Sequence, residues 1–184
     1  MSQTGFINFN RAGQFAYNKP HRVSRVKMAG GSGSTFEVYI GAMLANDPAV
    51  TTPTDVTIAK ANSVQPFYQA LGPEYKKNTG LTYPMSQNDL SILAKLDTQT
   101  SCKVLEMGET LAFFDGVINP GQPAIAVDGT GGTILGHLKM GAKTDGTKIT
   151  GRFLGLPGRD GKYIAAPTPN AIGTLGWLAL YPSQ

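Results

Sequence analysis

The chain holds one cysteine, Cys102, and two histidines, His21 and His137. A lone thiol cannot close an internal disulfide, and no Cys–His cluster offers zinc spacing. A chain built this way suits a reducing compartment. No run of about 18 apolar residues occurs, so no membrane-crossing helix is expected. The first fifteen residues lack a charged start followed by an apolar block, and a secretory signal is not expected. Charge is scarce too: 15% of the 184 residues are charged, against 41% hydrophobic. That balance fits a folded domain with few ion pairs and argues against disorder throughout.

Glycine, by contrast, is plentiful at 23 residues, with 12 prolines beside it. Such usage favours turns over helices, and the length suits one domain with a core and a spare tail. The net charge of +4 is unevenly placed. Residues 1–30 carry Arg11, Lys19, Arg22, Arg25 and Lys27 and no acid, leaving eleven cations against all twelve acids in the remainder. The basic character belongs to one end.

Residues 1–34 read as an extended arm. Phe6, Phe9, Phe15 and Tyr17 are interleaved with Ser, Asn, Gln and Gly without a helical stripe, and the segment closes on Gly30, Gly31, Ser32, Gly33 and Ser34. That ending has the composition of a flexible joint. An arm so poor in apolar surface needs a clamp to offset its ordering entropy, and a neighbouring subunit is the natural one.

From residue 35 to 184 the pattern is that of a β-rich domain. Phe36, Val38 and Ile40 alternate with polar neighbours, and Val56 and Ile58 do the same. Ser86 followed by Asp89 resembles a capping box, and Leu90, Ile92, Leu93 and Leu96 follow at helical spacing. One short helix is expected near 86–96. Asp-Gly recurs at 115–116, 128–129, 145–146 and 160–161, and this dipeptide supplies the positive φ that tight hairpins need. Strand-like runs lie between these turns, over 111–114, 124–127, 134–140 and 148–154. The run 172–181 is apolar on both faces, as a central or partner-covered strand would be. Short strands and regular turns define an antiparallel β-sandwich or barrel, jelly-roll-like in style. No long-period repeat is expected, because the Asp-Gly spacing and its flanks vary.

Candidate chemistry is thin. Cys102 has no local nucleophile signature, and a small buried thiol is its ordinary fate. His137 falls on the outward side of its run, and one His is weak evidence for a metal. His21 adds to the basic end. The Gly-rich joint at 30–34 lacks the lysine of a phosphate loop. Glu106 and Glu109 flank Gly108 in an expected turn, and four aspartates are accounted for by Asp-Gly turns. No catalytic, cofactor-binding or metal-binding residue is assigned. The basic aromatic arm could contact phosphates and stack on bases, which keeps nucleic acid as an alternative.

The segment 111–141, LAFFDGVINPGQPAIAVDGTGGTILGHLKMG, sets a Pro-Gly turn, a short apolar strand and Asp-Gly-Thr-Gly-Gly before another strand. Together with the arm, this rhythm resembles small cement or decoration proteins of tailed-bacteriophage heads. The resemblance implies a cofactor-free structural virion protein, assembled in the host cytoplasm and seated on the capsid surface as a dimer or trimer. It would bridge subunits of the major capsid protein. Phe6, Phe9, Phe15 and Tyr17 would be apolar anchors, and Arg11, Arg22 and Arg25 would pair with acidic capsid surface, since aromatics and Arg dominate interface energies. A tail-tube or connector protein is the other structural option.

Overall fold

A computed structural model describes residues 10–16, 18–28, 36–46, 55–59, 63–73, 94–96, 101–142, 149–159 and 162–181. These form a mainly β protein. In chain order the strands are β1 (Arg22–Met28), β2 (Phe36–Val38), β3 (Met43–Asn46), β4 (Asp55–Ile58), β5 (Val64–Pro73) and β6 (Ala94–Leu96). They continue with β7 (Ser101–Phe114), β8 (Pro123–Ala126), β9 (Leu138–Met140), β10 (Ile149–Pro157), β11 (Tyr163–Ile164) and β12 (Thr174–Leu180).

Two rings of strands share β7. In the first, β1, β4, β3, β5 and β7 pair in that order and β7 returns to β1, which closes a five-stranded barrel. In the second, β7 pairs with β12, then β10, β8 and β9, and a single parallel bridge from Phe114 to Leu138 closes the circuit. Taken in chain order, each ring has its first strand parallel to its third and all other pairings antiparallel.

The likeness extends to register. Leu44 lies opposite Ile58 as Ala124 lies opposite Met140. Ala70 lies opposite Val104 as Phe153 lies opposite Leu178, and the slip between Ala70 and Gly72 recurs between Phe153 and Gly155. The Gly41 amide donates to Ala70 O at 2.7 Å, and the Gly121 amide donates to Phe153 O at 2.7 Å. The chain therefore contains a structural repeat, which the sequence pattern does not announce. Only alternation and scattered glycines are common to the two halves.

Strand alternation divides the core in two. Leu44, Val56, Ala70, Cys102 and Val104, with Val26, Ile58 and Tyr68 packed on them, come from all five strands of the first ring and fill it. The larger cluster includes Ala112, Phe114, Ala124, Leu138, Phe153, Leu178 and Leu180 from the second ring, and extends to Met43, Phe67 and Leu105. Phe114 and Phe153 meet edge-on at 5.0 Å, a favoured aromatic geometry. Strand β12 sits between β7 and β10 with Trp177, Leu178, Ala179 and Leu180 all buried. Its two apolar faces mark a central strand, as the sequence indicates.

Three expectations change. Residues 22–28 are not arm: Val23 and Val26 pack on the core clusters while Arg22, Arg25 and Lys27 face out, so the segment becomes β1 of the barrel. Of the helix expected near 86–96, Ala94, Lys95 and Leu96 are strand β6, paired to β2, and residues 86–93 lie outside those described. Gly108 is no turn between Glu106 and Glu109. It lies within β7, and its φ of 141° is a conformation that few side-chain-bearing residues adopt. There β7 changes partners, from β1 in one ring to β12 in the other.

The packing gives a direct expectation. Phe114→Ala removes a fully buried ring from the second core and should cost about 3–5 kcal/mol. Urea unfolding followed by the fluorescence of the sole, buried Trp177 measures it.

Candidate functional site: an apolar loop platform over Asp115 and His137

The seven expected contact residues do not converge. Phe6, Phe9 and Tyr17 lie outside the described residues. Arg11 is exposed, its backbone amide donating to Gln14 Oε1 at 3.3 Å. Phe15 packs on the larger core and bridges to Thr110, with its ring 4.8 Å from that of His21. Arg22 pairs with Glu106, and Arg25 is exposed on β1 opposite Lys103. Phe15 and Arg22 are thus engaged within the chain.

The segment holding Phe15 acts as a strap. The Gly13 amide donates to Leu111 O at 2.8 Å, the Leu111 amide to Gln14 O at 2.8 Å and the Ala16 amide to Glu109 O at 2.9 Å. These bonds occupy the edge of β7 just past Gly108. Gly41 permits the strap's close approach, since a Cβ there would stand 2.3 Å from that of Ala12. Beneath the strap, fully buried Gln69 donates from Nε2 to Leu111 O at 2.8 Å and Gly41 O at 3.2 Å. The Thr110 hydroxyl faces both Gln69 Oε1 and Gln14 O.

The chemistry that sequence reasoning missed lies at the far end of β7. The sequence pattern gives Asp115 only a turn role and puts His137 on the outward side of its run; both are buried. His137 Nδ1–H donates to Asp115 Oδ1 at 2.6 Å. The same oxygen accepts from the Gly173 amide at 2.9 Å, and Oδ2 accepts from the Ile134 amide at 2.9 Å. The imidazole stacks on Phe113 at 4.9 Å and meets Tyr39 edge-on at 5.9 Å. Tyr39 in turn donates its hydroxyl to Leu135 O at 2.8 Å. Burial, and then the nearby Asp115 carboxylate, hold the Tyr39 phenol well above the ordinary tyrosine range.

One carboxylate therefore ties together three loops. Thr168 adds a further tie, donating to Gly116 O at 2.7 Å and accepting from the Ile118 amide at 3.0 Å. Above this network the side chains of Val117, Ile134, Leu135 and Ile172 are between 41% and 50% exposed. Ile134 is bonded to Asp115 through its amide, Leu135 follows it, Ile172 lies between Ala171 and Gly173, which bond Gly116 and Asp115, and Val117 follows Gly116 in the chain. We call these exposed aliphatics, on loops joined through Asp115 and its neighbours, the apolar platform. Isolated exposed aliphatics are ordinary, whereas contiguous apolar patches mark interaction surfaces.

Asp128 shows how different a second Asp-Gly can be. It is exposed, and its carboxylate accepts from the Thr130 hydroxyl at 2.7 Å and the Thr130 amide at 3.1 Å, which lowers its pKa. Asp145-Gly146 and Asp160-Gly161 each include residues outside those described. Cys102 is wholly buried inside the first barrel. Among the described residues no group of three His, Cys, Asp or Glu side chains could hold a metal ion. Compared with known proteins, the chain matches no family model and no curated sequence.

Asp115→Ala should strand the buried His137 donor and two part-buried amides and cost about 3 kcal/mol, as removal of one member of a buried pair does. Asp128→Ala should leave the melting temperature almost unchanged; thermal unfolding compares the two. At high pH the shift of Tyr39 has a defined sign. The folded state keeps the phenol protonated, so its stabilising share is intact below about pH 10 and is lost as the unfolded chain ionises above it. Tyr39→Phe should flatten that alkaline decline in a pH series of urea midpoints. Tyr68, also raised by partial burial, should leave a residual slope.

Proposed function

We propose that this protein is a structural assembly subunit, a cement or decoration protein of a tailed-phage capsid that bridges major capsid protein subunits. The observation that carries the reading is the apolar platform of Val117, Ile134, Leu135 and Ile172, held on loops pinned by buried Asp115. A rigid β body that presents aliphatic side chains at a fixed spacing suits protein–protein contact. The neighbours of His137 are Asp115, Phe113 and Tyr39, so the pair serves as a pin under the platform. The exposed Arg11 and Arg25 extend the contact with charge for an acidic surface, and Phe6 and Phe9 extend it with aromatic anchors.

Co-sedimentation with purified capsids tests this. Wild-type protein should bind at a fixed copy number per major capsid subunit. Ile134→Ser combined with Leu135→Ser should weaken binding about a hundredfold while leaving the fold intact, as loss of central apolar anchors does. Equal binding by the variant, or none by the wild type, sinks the reading.

One further observation favours a second reading. Arg25 lies directly opposite Lys103 on neighbouring strands, with Lys27 two residues on, and all three are exposed. Like charges so placed suit a polyanion. In that case DNA retention should fall steeply with salt, whereas capsid binding through the platform should not.

A further inference from the structure

We draw no further inference here: the strongest candidate, the exposed aliphatics Val117, Ile134, Leu135 and Ile172 on the loops around Asp115, belongs to the contact already proposed, and nothing in the structure shows what covers it.

Discussion

Strand β7 is the constraint from which the rest of the molecule follows. Its first half closes the first barrel through β1 and β5, and its second half supports β12 and the bridge to β9. Neither ring can form its hydrogen-bond circuit without it. A β-strand has only two edges, so every partner must be placed along its length, and Gly108 marks the change of partners. The strap at residues 13–16 then occupies the edge that β1 leaves uncovered past that point. Gln69 and Thr110 fill the buried corner beneath it with bonded polar groups. Such a corner is costly if half satisfied, and here each side chain has a partner.

How much of this was readable in advance depends on the range of the forces involved. Alternation is local, so Val56 with Ile58 and the two-faced run ending at Leu180 identify strands from sequence alone. Strand β1 lacks that alternation, since Val23 and Val26 stand three apart among Arg22, Arg25 and Lys27, and its cations give it the look of a basic tail. The capping-box pattern at Ser86 and Asp89 pointed to helix, yet Ala94, Lys95 and Leu96 pair with Phe36, Glu37 and Val38. Pairing across such a separation overrides local propensity. The repeat between the rings left little trace in the residues beyond alternation and glycines at matching places, because register is kept by backbone bonds that tolerate almost any side chain.

The candidate site was the least legible part, for the same reason. Asp115-Gly116 and Asp128-Gly129 are identical dipeptides. One carboxylate caps its own turn through Thr130, two residues away, and stays in water. The other is buried because His137, Ile134 and Gly173 converge on it from 22, 19 and 58 residues away. No window of sequence contains that information. A His that falls on the polar side of an alternating run is read as solvated, and only the partner's position turns it into a core group.

The depth of that network explains why the platform can remain exposed. Aliphatic side chains on free loops gain by collapsing inward, and a loose patch of this kind would bury itself or aggregate. Here the backbones of residues 116, 134 and 173 are held by bonds to Asp115 or to its immediate surroundings, and the Tyr39 hydroxyl fixes Leu135. Turning these side chains inward would require moving loops that the buried polar bonds hold in place. As a general rule, a contact surface on fixed loops loses less entropy on association than one on a mobile loop. The buried carboxylate thus fixes the backbone of the loops on which these exposed aliphatics stand.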